Sequence, residues 1–226
     1  MSGTTVEIKA NASNISGYLA TPAAGQGPGV LVLQEWWGLV PHIEQVADRL
    51  AAQGFVALAP DLYRGEQTSD PDEAGRRMMA LNIEQTAQDL ASAAAYVRAL
   101  GACAPKKIGV LGFCMGGQLA LFAATKDQDI GATVNFYGIH PKVEPDYRQL
   151  SGPVLCHFGE HDTFVAKETA RQLVNELRAA EVAVEAHFYD AGHAFFNDSR
   201  AAAYDRAAAE TAWSRTTEFL KAHLSA

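Results

Sequence analysis

The feature of this sequence that most constrains its fold is a regular alternation of short apolar runs with longer segments of helical periodicity. The apolar runs lie at residues 29–34, 54–59, 107–112, 132–136 and 153–158. The helical segments lie at residues 43–53, 84–100, 118–125, 167–180 and 207–223. Short continuous apolar runs are typical of strands buried on both faces of a parallel sheet. The alternation therefore predicts an α/β fold with a mostly parallel central sheet and helices on both faces.

The remaining segments fit the same plan. Residues 5–9 and 17–20 predict an antiparallel hairpin at the sheet edge, and the alternating residues 182–189 predict a late strand. No linker divides the chain, and 226 residues suit one hydrophobic core, so we predict a single domain over residues 1–226. The polar, turn-rich stretch 61–83 is expected to form a loop or short helix that caps the cleft.

Charge and composition exclude several classes of partner. The formal net charge is −8 and no run of Lys or Arg occurs, which disfavours nucleic acid and anionic membranes as partners. No segment resembles a signal peptide or a membrane span, so a cytoplasmic protein is expected. The three cysteines lack metal-binding spacing, and we expect neither a metal nor another cofactor. The expected partner is a small molecule, and the chain is expected to be a monomer or small homo-oligomer.

The strongest chemical signal is the sequence GFCMGG at residues 112–117, between an apolar run and a helical segment. Small residues two positions before and after a nucleophile permit the sharp strand-to-helix turn called a nucleophile elbow. The following helix N-terminus favours the thiolate form of a cysteine. We therefore predict that Cys114 is a nucleophile. A buried structural cysteine and a dinucleotide-binding glycine loop are the alternatives, although no GxGxxG spacing is present.

A thiol nucleophile needs a base and an orienting acid, which in such folds follow in the order nucleophile, acid, histidine. The run 153–158 ends in GEHD and the strand 182–189 ends in DAGHAF. This order predicts that His193 is the base and Asp162 its orienting acid. His161 is the competing histidine, because it also lies at a strand end.

The sequence QEWWG at residues 34–38 follows the first core strand. Its position predicts that the Trp36 amide, together with the Met115 amide, forms an oxyanion hole. Glu35 is expected in the same site. Six aromatic residues are predicted to line an apolar substrate pocket: Trp36, Trp37, Tyr63, Phe113, Phe164 and Phe195.

Five motifs together resemble the dienelactone hydrolase family, the carboxymethylenebutenolidases. They are QEWWG at 34–38, PDLY at 60–63, GFCMGG at 112–117, GEHD at 159–162 and GHAF at 192–195, and the resemblance spans nearly the whole chain. It implies an α/β-hydrolase fold, a triad of Cys114, Asp162 and His193, and a Glu35 that helps to ionise the thiol when substrate arrives. The expected activity is cleavage of an ester or lactone through an acyl-thioester.

Family members that act in chloroaromatic degradation bind the substrate carboxylate with arginines. One arginine lies four residues after the catalytic histidine, where this chain has Asn197, and another follows the PDLY motif, where Arg76 or Arg77 corresponds. Arg200 lies nearby in sequence and is expected to be exposed, like Arg76 and Arg77. We therefore predict that neutral esters are cleaved at least as readily as carboxylate-bearing ones.

Two other functions fit parts of the sequence. GFCMGGQ also looks like the elbow of glutamine amidotransferases, but those enzymes keep a Glu two residues after the histidine, where this chain has Phe195. A binding module without activity on the same scaffold is the non-enzymatic alternative, because a fold alone does not establish activity.

Overall fold

A computed structural model describes residues 3–10 and 14–224 of the chain. Its eight strands form one sheet in the order β1-β2-β4-β3-β5-β6-β7-β8. The strands are β1 (Thr4–Ile8), β2 (Ile15–Ala20), β3 (Gly29–Leu33), β4 (Val56–Pro60), β5 (Ile108–Phe113), β6 (Ile130–Phe136), β7 (Val154–Gly159) and β8 (Val184–Tyr189). β1 and β2 pair antiparallel, as do β2 and β4, whereas every other neighbouring pair is parallel. The predicted α/β fold with an edge hairpin is thus confirmed.

Within the described residues six helices cover the sheet, and a 3₁₀ turn lies at Tyr147–Gln149. The helices are α1 (Pro41–Ala52), α2 (Pro71–Ala80), α3 (Ile83–Ala99), α4 (Met115–Lys126), α5 (Lys167–Ala179) and α6 (Arg206–Leu224). Alternate residues of each strand face opposite sides, so Val30 and Val32 pack with α1 and α6, while Leu31 and Leu33 pack with α3 and α4. α5 packs against β7 on the same side as α4.

One element boundary differs from the sequence prediction in a way that affects the site. α4 begins at Met115 rather than near Gln118, because Gly116 and Gly117 continue the helix instead of forming the turn. Residues 61–83 contain a turn followed by α2, with Asp70 accepting a hydrogen bond from the Glu73 amide as its N-cap. No helix within residues 3–10 and 14–224 combines the length and apolar character needed to cross a membrane.

Candidate active site

Cys114 occupies the turn between β5 and α4, at the carboxyl edge of the sheet. Its backbone adopts φ 54° and ψ −124°, a conformation that side-chain-bearing residues rarely take. The turn is tight enough that a Cβ on Gly112 would overlap the Gly116 backbone. The Cys114 amide donates to the Phe136 carbonyl at 3.0 Å, which ties the turn to β6. Strain fixed in this way is found where a side chain must project into a site.

His193 and Asp162 form a hydrogen-bonded pair beside this turn. His193 Nδ1 lies 2.7 Å from Asp162 Oδ2, and the Asp162 side chain is fully buried. The other carboxylate oxygen, Oδ1, accepts from the backbone amides of Phe164 at 2.7 Å and Val165 at 2.8 Å. Asp162 is therefore held at both oxygens, and it orients the imidazole so that Nε2 is free to face another group.

The imidazole carries an unusual proton affinity. Burial lowers the pKa of His193, but hydrogen bonds to Asp162 and Cys114 and the nearby negative charges outweigh burial and raise the pKa to about 10. Below that pH the imidazole is protonated, with a carboxylate on one side and Cys114 on the other. The arrangement is suited to moving a proton between His193 and a group bound at Cys114.

Glu35 is the second buried carboxylate of the site, with 1% of its surface exposed. Its Oε2 accepts from Asn197 Nδ2 at 2.7 Å, and its Oε1 accepts from the Tyr137 hydroxyl at 3.4 Å. Among the described residues, no Lys, Arg or His lies within ion-pair distance of it. Glu35 therefore brings an uncompensated carboxyl group to the cleft.

Two backbone amides near Cys114 are free to bind a ligand. In the part of the chain that the structure describes, neither the Trp36 amide nor the Met115 amide donates to a protein acceptor. Met115 is the first residue of α4, so its amide lies at the positive end of the helix dipole. Backbone amides without a protein acceptor can donate to an oxygen atom of a bound ligand.

Glu35, Trp36, Cys114 and His193 line one cleft, which has a volume of about 160 Å³. Trp36, Trp37 and Phe164 form its aromatic wall. The rings meet edge to face, and their centroids are 5.1 Å apart for Trp36 and Trp37 and 5.8 Å apart for Trp36 and Phe164. Phe164 also contacts the His193 ring at 5.0 Å, although 68% of its surface is exposed. The complete lining comprises Glu35, Trp36, Trp37, Pro71, Cys114, Phe164, His193, Ala194, Arg200 and Ala203.

Other predicted substrate-binding residues lie elsewhere. Phe113 and Phe195 are fully buried in the core around α1 and α6. Arg76 is exposed, and Tyr63 and Arg77 line a neighbouring pocket of about 240 Å³.

The side chains of this second group also have partners of their own. Arg77 pairs with Glu66 and Glu73, which compensate its charge. The Tyr63 hydroxyl donates to Met115 Sδ at 3.3 Å, so it contacts the residue after Cys114 from behind. Asn197 is buried against Glu35 and does not line the cleft.

Two residues at the site carried weak sequence signals. Tyr137 directly follows β6, has φ 41°, and packs edge-on against His193 at 5.0 Å. The sequence signal for Tyr137 is its position: it is an aromatic residue directly before Gly138, at the end of β6, which pairs with β5. Arg200 lines the cleft with its guanidinium 4.2 Å from the Trp37 ring, in a cation–π contact, and its exposure is as expected.

The structure also shows where His161 lies and whether potential metal ligands come together. His161 lies on the surface, where its Nε2 is 2.6 Å from Asp190 Oδ1, and 67% of its side chain is exposed. Within residues 3–10 and 14–224, no three His, Cys, Asp or Glu side chains gather in the manner of metal ligands.

Comparisons with known proteins relate the whole chain to one group of enzymes. The model of the dienelactone hydrolase family matches residues 15–224. Protein usf of Aquifex pyrophilus is 37% identical over 99% of this chain and 100% of its own length. A carboxymethylenebutenolidase of Pseudomonas sp. strain P51 is 34% identical over 97% of this chain and 94% of its own. The crystal structure of a proposed dienelactone hydrolase from Klebsiella pneumoniae superimposes with a TM-score of 0.86 at 29% identity, covering 96% of this chain and 98% of the other.

Proposed function

Since this chain belongs to the dienelactone hydrolase family and is an ester or lactone hydrolase, we propose that it works through a Cys114, His193 and Asp162 triad and an acyl-thioester intermediate. The observation that carries the proposal is the hydrogen bond between buried Asp162 and His193, in a cleft that His193 shares with Cys114 at a strained strand-to-helix turn. In this proposal Cys114 is the nucleophile, His193 is its base and Asp162 orients the imidazole.

In the first half-reaction, the Cys114 sulfur attacks the carbonyl carbon of the ester, and the carbonyl electrons move to oxygen. The Trp36 and Met115 amides donate to this oxyanion. When the tetrahedral intermediate collapses, the bond between carbon and the leaving oxygen breaks. The protonated His193 gives its proton to that oxygen, so the alcohol departs neutral and the acyl group remains on sulfur.

In the second half-reaction, water replaces the alcohol beside His193. The neutral imidazole accepts a proton from water while the water oxygen attacks the thioester carbon. Collapse of the second tetrahedral intermediate breaks the carbon–sulfur bond and releases the acid. Asp162 stabilises the imidazolium each time it forms.

The substrate is proposed to be a small ester or lactone. A cleft of about 160 Å³ suits a compact molecule, and its aromatic wall favours apolar groups. We also propose that the chain acts as one domain, in which residues 61–83 cap the cleft. Pro71, at the start of α2, supports this role because it lines the cleft.

Trapping the intermediate tests the proposal. Mixing with p-nitrophenyl acetate and quenching with acid should leave an acetyl group on Cys114, detected by peptide mass spectrometry, and Cys114→Ala should lose turnover. Cys103→Ala is the matched control, because Cys103 is buried away from the cleft. The pKa of Cys156 is raised to about 12 by burial, so that thiol should stay unmodified. Full turnover in Cys114→Ala would refute the proposal.

A further inference from the structure

We propose that Asn197 is a positioning residue that fixes the Glu35 carboxylate beside Cys114 through a neutral hydrogen bond. The inference rests on the proposed function, in which Cys114 is the reacting group. Asn197 is 1% exposed and does not line the cleft, so its effect on chemistry passes through Glu35. This role differs from the substrate contact that the sequence suggested.

The orientation of the Asn197 amide follows from its other partners. The Asn197 Oδ1 atom accepts from the Ser199 amide at 3.1 Å and from the Ser199 hydroxyl at 2.6 Å. Because the Ser199 backbone N–H can only donate, it fixes which end of the Asn197 amide is the oxygen. The NH₂ group must then face Glu35, where Nδ2 lies 2.7 Å from Oε2.

The backbone that carries Asn197 is anchored on both sides. The Asn197 amide donates to the Ala194 carbonyl at 2.9 Å, which closes the loop that follows His193. The next residue, Asp198, lies 3.1 Å from His42 Nδ1 at the start of α1. The position of Glu35 is therefore coupled to the same loop that positions His193.

Apart from Asn197, the Glu35 carboxylate has one other hydrogen-bond contact among the described residues. Its second contact, with the Tyr137 hydroxyl, is long at 3.4 Å. A buried carboxylate that loses its one short hydrogen bond is left poorly satisfied and will move or take up a proton. Because Asn197 carries no charge, it satisfies the Glu35 carboxyl group by a hydrogen bond without forming an ion pair with it.

A double-mutant cycle tests this coupling with Asn197→Ala, Glu35→Gln and the combined variant. The readouts are the pH dependence of Cys114 alkylation by iodoacetamide and kcat/KM for p-nitrophenyl acetate. Asn197→Ala should shift the alkylation profile in the same direction as Glu35→Gln and lower kcat/KM about tenfold, a loss typical of contacting residues. In the Glu35→Gln background the same substitution should change both readouts less than about twofold.

Asn175→Ala is the matched control, because Asn175 is exposed on α5 and away from the cleft, and it should behave as wild type. Equal losses from Asn197→Ala in both backgrounds would indicate a merely structural role and overturn the proposal, as would no change in either.

If Asn197→Ala fails to fold, Asn197→Asp replaces it. This variant sets two carboxylates together, so its activity relative to wild type should recover as the pair takes up a proton at low pH. A relative activity that is independent of pH would refute the coupling.

The Glu35→Gln and Asn197→Asp combination exchanges donor and acceptor, and it should restore the melting temperature lost in Asn197→Asp alone. The alkylation profile reports on Cys114 whether or not an ester is turned over. A wild-type protein without esterase activity would therefore count against the proposed function, while the alkylation cycle would still decide the role of Asn197.

Discussion

Replacing Asp162 with asparagine isolates the contribution of one buried charge to the site. The substitution keeps the side-chain shape, so the amide oxygen can still accept from the Phe164 and Val165 amides. The NH₂ group then faces His193 Nδ1, at the 2.7 Å contact now made with Oδ2. Because an NH₂ group only donates, the neutral imidazole must carry its proton on Nε2, which faces Cys114, and it cannot act as a base.

The magnitude follows from these contacts. A hydrogen bond to a charged group contributes about 1.5–3 kcal/mol. At about 1.4 kcal/mol for each factor of ten in rate, its loss corresponds to about 10- to 150-fold. The reversed tautomer adds to this, since the same change in a Ser-His-Asp triad lowers kcat about 10⁴-fold. We therefore expect kcat to fall between about 10²- and 10⁴-fold while the fold stays intact.

The pH dependence has a definite sign. The pKa of His193 is raised to about 10, partly by Asp162. Without that carboxylate the pKa falls toward or below the ordinary value of about 6.5, so the imidazolium is lost at neutral pH. The activity of the variant relative to wild type should therefore be lowest above neutral pH and rise as the pH decreases.

The assay is steady-state hydrolysis of p-nitrophenyl acetate between acidic and mildly alkaline pH. Asp190→Asn is the matched control, because Asp190 makes a similar contact to His161 at 2.6 Å on the surface, where both side chains are largely exposed. Exposed pairs contribute little, so this control should lose less than about twofold. Wild-type kcat in Asp162→Asn, or an equal loss in Asp190→Asn, would refute the reasoning.

Two further predictions concern the elbow and the substrate. Gly112→Ala should lower the free energy of unfolding by about 3 kcal/mol or more in urea titrations, because its Cβ would overlap Gly116, whereas Gly101→Ala should be tolerated in open space. Neutral esters should be cleaved at least as readily as their carboxylate analogues in kcat/KM measurements at low and high salt. A preference of about tenfold for the anion that disappears in Arg200→Gln would show that the cation stacked on Trp37 binds carboxylates.

Much of the fold was predictable because local patterns and global architecture agree. Buried parallel strands need continuous apolar runs, and all five runs identified in the sequence lie in parallel strands of the sheet. The start of α4 was placed three residues late, because Gly116 and Gly117 have poor helix propensity. Packing decides their conformation instead, since a Cβ on Gly116 would contact the Leu33 carbonyl of the neighbouring strand.

The order of the chemical groups along the chain, and the sheet edge at which they lie, follow from the amino-acid sequence. Cys114, Asp162 and His193 each follow a strand, and the carboxyl ends of parallel strands share one edge. Which side chains meet at this edge depends on how the folded chain packs. The tertiary structure brings Asn197 to Glu35 and Tyr137 to His193, and it separates Phe113, Tyr63 and Arg77 from the cleft. These contacts depend on side-chain direction and loop path, which are set by packing between residues far apart in sequence and leave no local periodicity to detect.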